Sequence, residues 1–348
     1  MNTTIFHNFN AAGKVLSCNV GTIRAETVSQ RVIIKLYNTL TPTEYLLLIN
    51  QYPSNNTVDI YDIASLIEHD LISRGISFSS YCIEIDDAKL EFTVVFCRRK
   101  LYEHWLTNNF LTALPVQMLP HWADLELQSP QSDNIISFNV TFRDSSGALG
   151  SYSFDSNIIH DPVACFEYVD IRDMIDRNTA RVCMDILVVM AISGNRTKTF
   201  FFNDREYCHH FSFRNCFNAV DDFYLCGSIT ESTKVDSEYA VCNGVKMVYD
   251  REVSRSYKFN TGVLSEFEAE ALSQLVESHD ASIYINREQR RIVFADHSLE
   301  FSDDNSSQRR AEFSFEVADG TLLPPDCWLD VRAASNSVFS DQFSDTFL

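Results

Sequence analysis

Between Phe200 and Gly227 the chain runs FFFNDREYCHHFSFRNCFNAVDDFYLCG, its densest gathering of aromatic, cysteine and histidine side chains. Thr199-Phe200-Phe201-Phe202 is short, aromatic and bracketed by the turn residues Gly194-Asn195 and Asn203-Asp204, which predicts a strand. Asn203-Asp204-Arg205 predicts a turn, and Phe211, Phe213 and Phe217 supply further apolar anchors. Phe223-Tyr224-Leu225-Cys226 predicts another strand, ended by Gly227. The whole chain shares this bias: 26 Phe and 14 Tyr, with many Val, Ile and Thr, favour strands over helices.

The 348 residues are enough for two or three domains, and 45% hydrophobic against 22% charged residues marks a globular chain. A formal charge of −20 repels phosphate backbones and anionic lipid, so nucleic-acid binding through a basic face is not expected. No stretch approaches the roughly 18 uninterrupted apolar residues of a membrane span. MNTTIFHNFNAAGKV lacks the basic and apolar regions of a secretory signal. The ten cysteines sit singly and none forms a C-x₂-C pair, so free thiols in a reducing compartment are expected.

Taken in order, Val32 to Leu36, Glu44 to Ile49, Val58 to Ile63, Ile83 to Ile85 and Phe92 to Phe96 read as strands, with a helical look from Ala64 to Leu71. A second copy is expected from Asn134. Val58-Asp59-Ile60-x-Asp62-Ile63 matches Val169-Asp170-Ile171-x-Asp173-Met174, and each leads through strands to an aromatic strand with a basic, polar exit. The alternative is two β domains of similar size that share turn chemistry. The aspartates of this element are expected to cap short helices. Ser265-x-x-Glu268 is a capping box that opens a helix from Glu266 to Glu277, with Phe267, Ala271, Leu275 and Val276 on or near one face.

The expected architecture is mainly β: two similar β-sandwich-like modules plus a C-terminal α+β unit with one clear helix. Residues 1–130 form a first module with an N-terminal arm, 131–230 a second, 231–320 the α+β unit with helix 266–277, and 321–348 an extended tail. Aromatic residues spaced along that Ser- and Asp-rich tail, Trp328, Phe339, Phe343 and Phe347, are the candidate interface residues, since a neighbouring subunit is a natural cover for them.

Candidate chemistry is sparse. Cys208-His209-His210 with Cys216 offers zinc-type ligands, but adjacent strand residues point to opposite faces, so the two histidines do not converge easily. Paired acids at Asp86-Asp87, Asp221-Asp222 and Asp303-Asp304 read as solvated turns. There is no G-x-S-x-G elbow and no glycine-rich phosphate loop. No enzyme, no cofactor and no metal site is expected; a pocket gathering two or more of His209, His210, Asp221 and Asp222 would reopen the enzyme reading.

Four further segments carry a resemblance. They are the F-R-N-x-F-x-x-x-x-x-F-Y-x-x-G run at Phe213 to Gly227, T-G-x-L-S-x-x-E at Thr261 to Glu268, L-V-E-S at Leu275 to Ser278, and F-S-F-E-V-A-D at Phe313 to Asp319. Over about the second half, the chain resembles tail-associated virion proteins of phages infecting Bacteroidota, including the crAss-like group. Where those proteins carry an acidic P-E step, this chain has Val220-Asp221-Asp222. The resemblance implies a structural subunit of a tail, neck ring or baseplate, built of β-sandwich modules. Such a subunit would form a homo-oligomeric ring, dock neighbouring virion proteins, and be assembled in the host cytoplasm. The alternative is a carbohydrate- or receptor-binding module at a tail tip, with a groove lined by Tyr and by Trp105, Trp122 or Trp328.

Overall fold

Val32–Asn38 reads VIIKLYN, and its alternate residues Val32, Ile34 and Leu36 are buried while Ile33 faces solvent. That period of two turns one face of the strand inward. It recurs in Ile136–Asp144, where Ile136, Phe138, Val140 and Phe142 are buried. The computed structural model describes residues 3–7, 14–99, 101, 109–129, 135–156, 163–179, 181–203, 209–242, 245–285, 288–294, 299–302 and 309–318. The fold is mainly β, and three helices occur among the described residues: α1 (Ile63–Arg74), α2 (Tyr168–Asn178) and α3 (Glu266–Glu277).

In the first unit a five-stranded sheet runs in the order Lys14–Leu16, Ala88–Val95, Phe78–Ile85, Val32–Asn38, Tyr45–Gln51. A smaller sheet joins Thr4–Phe6, Ile23–Glu26 and Thr57–Ile60. Helix α1 buries Ile63, Ile67 and Leu71, on one helical face, in a core that both sheets share. The second unit has the same plan. Its sheet order is Val116–Pro120, Arg196–Asn203, Cys183–Ser193, Ile136–Asp144, Leu149–Ser156, and Leu125–Gln128 pairs with Val163–Phe166 beside it. Ile171 and Ile175 of α2 enter its core. In both units the edge strand, Lys14–Leu16 or Val116–Pro120, is parallel to its neighbour, and the other pairings of the five-stranded sheet are antiparallel.

Part of the plan appears a third time. Val220–Leu225, His209–Arg214, Ala281–Ile285 and Glu288–Val293 are adjacent in that order and antiparallel, and α3 precedes the last two in sequence. Arg309–Val317, Val245–Leu264 and Ser228–Cys242 extend this sheet, and Glu300–Ser302 pairs with Arg309–Val317. Sheet membership therefore cuts through the aromatic run. Phe200 and Phe202 belong to the core of the second unit, while Phe211, Phe213 and Phe223 belong to that of the third.

Two local expectations are corrected. The V-D-I elements do not occupy equivalent places: Val58 to Ile60 end a strand, whereas Val169 to Ile171 lie inside α2. Nor do their aspartates cap. Asp62, at the start of α1, has φ 57° and its side chain makes no capping bond; the position before α2 is Glu167, also without one. Asp59 instead pairs across the small sheet with Arg24 at 2.7 Å. The capping box of α3 is present, with Glu268 N donating to Ser265 Oγ at 3.2 Å and Ser265 N donating to Glu268 Oε2 at 2.8 Å. Ala271, Leu272 and Leu275 form its buried face, and Phe267 is exposed.

The units are joined by polar seams. Helix α1 ends at Gly75, φ 66°, a left-handed position that glycine takes without strain. Asn218 Nδ2, from the turn between His209–Arg214 and Val220–Leu225, reaches across to donate to Leu71 O at 3.1 Å and Ile76 O at 3.0 Å. Arg214 Nη1 adds a bond to Gly75 O at 3.1 Å. Arg99 meets Glu270 of α3.

Candidate functional sites: a projecting ribbon and an aromatic cleft

Ser228–Cys242 and Val245–Leu264 pair antiparallel from Ser228 opposite Asn260 to Cys242 opposite Val245. Among the described residues only the base is backed by a third strand, since the pairing with Arg309–Val317 starts at Tyr257 and runs to Leu264. Beyond Glu231 the described partners of the ribbon are its own two strands. At about 3.3 Å per residue this free portion reaches roughly 35 Å. Opposed residues of an antiparallel pair share a face, so Tyr239, Val241 and Val248 lie on one side near the tip, and Ala240, Met247 and Val245 on the other. Val241 is 72% exposed and Val245 61%, and Tyr239, Met247, Val248 and Tyr249 are also exposed. Lys246 Nζ sits 4.0 Å from the Tyr239 ring centroid, and Tyr249 bonds Glu238. A two-stranded ribbon is marginal by itself in water, and one with apolar residues on both sides gains by being covered.

The cleft is built where the second and third sheets meet. Register places Tyr224 opposite His210, and His210 opposite Tyr284, on three adjacent strands. Cross-strand partners share a face, so the three rings stack. His210 lies 4.4 Å from Tyr224 and 4.1 Å from Tyr284, nearly parallel to both. Asp222, two residues along from Tyr224, meets His210 Nε2 at 2.8 Å. From the second unit, Trp122 follows the strand Val116–Pro120 and leans edge-on against Tyr224 at 5.5 Å and His210 at 6.5 Å. Trp122, Ala123, Asp124 and Glu126 complete a cleft of about 470 Å³ with His210, Asp222, Tyr224 and Tyr284.

Behind the cleft, Lys198 and Asp221 are buried. Asp221 accepts from Thr112 Oγ1 at 2.6 Å, Ala113 N at 2.7 Å and Asn215 Nδ2 at 2.7 Å. Lys198 donates to Thr112 Oγ1 at 3.3 Å and to the Glu126 carbonyl at 3.2 Å, and burial holds its ammonium below the usual lysine range. The Glu126 carboxyl is raised to about 7, by burial first and then by the Asp222 carboxylate, against the opposing pull of Lys198.

Sequence candidates fall as follows. Trp328, Phe339, Phe343 and Phe347 lie outside the described residues, as do Trp105, Cys208, Asp303 and Asp304. His209 and His210 do point to opposite faces: His209 packs on Phe259 at 5.3 Å, and burial lowers its ring basicity. Asp221 and Asp222 are not a solvated turn but part of the strand Val220–Leu225, and Asp221 is buried. His210 and Asp222 do share a pocket, which is the arrangement that reopens catalytic chemistry. Among the described residues that line it there is no serine or cysteine to act as a nucleophile. Trp122 is the one described tryptophan of the expected groove, and Tyr224 and Tyr284 stand beside it. Glu126, Asp124 and Tyr284 were not singled out by sequence, because nothing local marks them.

No family profile matches the chain, and no curated protein matches it. Among solved structures, one match is a chain described as "Virion of native gene transfer agent (GTA) particle". It is 9% identical, with a TM-score of 0.24, and covers 32% of this chain and 90% of that one. At that TM-score the likeness carries no argument about function.

Proposed function

We propose that this chain is a structural, non-enzymatic subunit of a virion, and that it assembles with copies of itself through the ribbon formed by Ser228–Cys242 and Val245–Leu264. The observation that carries this reading is the free outer part of the ribbon, which exposes apolar residues on both faces near its tip and is backed by no third strand among the described residues. A neighbouring copy supplies a surface of matched chemistry to each face, and head-to-tail repetition of one such contact closes a ring. The edge strand Tyr45–Gln51 supports the same reading, because Tyr45, Leu48 and Ile49 are exposed on a strand with one open side.

The resemblance of the second half to tail-associated virion proteins supports a place in a phage tail, neck ring or baseplate, with adjacent virion proteins as partners and assembly in the host cytoplasm. A net charge of −20 suits a ring whose lumen passes DNA without holding it. Mass measurement of the purified chain with negative-stain imaging tests the reading. Rings of one defined subunit number support it, and a monomer at every accessible concentration removes it.

A further inference from the structure

The cleft around Trp122 is separate from the ribbon, and its chemistry is that of a small-ligand site. Three carboxylates, Asp124, Glu126 and Asp222, line it together with the rings of Trp122, His210, Tyr224 and Tyr284. Negative charge is in excess there. Among the described residues of the lining the imidazole of His210 is the one basic side chain, and it is already bonded to Asp222. The ammonium of Lys198 lies behind, bonded to Thr112 and the Glu126 backbone and 3.9 Å from Asp221.

Trp122 is 62% exposed although it makes T-shaped contacts with two rings. An indole open to solvent is the best aromatic partner for an organic cation, and nearby carboxylates add to that attraction. An anion is repelled by the same carboxylates. Among the described residues no group of three or more His, Cys, Asp or Glu is placed to hold a metal ion. A neutral saccharide can stack on Trp122 and donate its hydroxyls to the carboxylates, but it brings no positive charge to offset three of them. A volume of about 470 Å³ suits one long side chain or a short linear amine.

We propose that this cleft binds an organic cation, an ammonium or guanidinium group stacked on Trp122 and held by Asp124, Glu126 and Asp222. The cation comes either from a lysine or arginine side chain of another protein segment or from a free polyamine. The cation takes the place of the proton that Glu126 holds near neutral pH. The groups facing Glu126 are Asp124, Asp222, His210 and Tyr284 within the cleft, and Asp221 and Lys198 behind it. His210 stands beside the same carboxylates, so a Glu126 variant is needed to assign the dependence to Glu126.

The test is a fluorescence titration of the full chain and its Trp122→Phe variant, which isolates Trp122 from the other two tryptophans. The probes are a blocked Gly-Lys-Gly peptide, spermidine and maltohexaose, each at about pH 6 and pH 8. Saturation by the peptide assigns the cation to a protein side chain, and saturation by spermidine alone assigns it to a polyamine; both support the proposal. Affinity is expected to tighten by up to about tenfold from pH 6 to pH 8, and Glu126→Gln is expected to lose most of that dependence while keeping its thermal midpoint. The proposal is overturned if neither cation gives a saturable Trp122 signal, if maltohexaose alone does, or if Asp124→Asn, Glu126→Gln and Asp222→Asn all bind the cation as the parent does.

Discussion

Lys198 Nζ lies 3.9 Å from Asp221 Oδ1 across the seam between the second and third sheets, and each side chain is only 4% exposed. Neither charge has water to fall back on. Asp221→Ala removes the acceptor of three further hydrogen bonds and leaves an ammonium buried without its counter-charge. The expected loss is about 3–5 kcal/mol in chemical denaturation. Lys198→Met, which strands the carboxylate but leaves its three donors in place, is expected to cost less.

Asp70 gives a pH prediction in the acid range. It accepts from Arg74 Nε at 2.7 Å, and from Asn38 Nδ2 and Tyr81 OH at 2.9 Å each. Burial raises the carboxyl, but these three donors outweigh it and hold the group below the usual carboxylate range. A depressed folded-state pKa contributes stability that is present above the unfolded value of about 3.8 and lost as pH falls through the folded value. Asp70→Asn puts an amide donor among donors and removes the pairing charge for Arg74. It is expected to cost about 2–3 kcal/mol at neutral pH and to flatten the acid limb of the stability profile.

Ser265→Ala removes the acceptor of the Glu268 N–H at the start of α3. A loss of about 1 kcal/mol is expected, with Ser265→Asp recovering most of it. Thermal unfolding of the three proteins side by side checks this.

That capping box was legible because both partners lie within one turn. Strand phase was legible for the same reason: Val32, Ile34 and Leu36 alternate with polar or exposed neighbours. What sequence could not show is which strands pair. Phe200 to Phe202 and Phe211 to Phe213 look alike, yet they enter different cores, because sheet membership is decided by partners such as Gln117 and Ile283 far away in the chain. The third appearance of the strand order was hidden by the ribbon, which separates its first hairpin from α3. The ribbon itself showed only as a charged strand near Glu252 to Phe259, since a ribbon exposed on both faces has no period-two contrast to read. The cleft draws on segments around 122–126, 210, 222–224 and 284, so no local motif announces it.

The central claim concerns the ribbon. Joining Glu231 to Tyr257 through an Asn-Gly turn removes the free outer portion and keeps every strand pair at the base. Sedimentation velocity of this trimmed chain beside the parent is the most direct measurement. A multi-subunit parent and a monomeric trimmed chain with unchanged circular dichroism are predicted. A parent that sediments as a monomer, or a trimmed chain that assembles as the parent does, contradicts the claim.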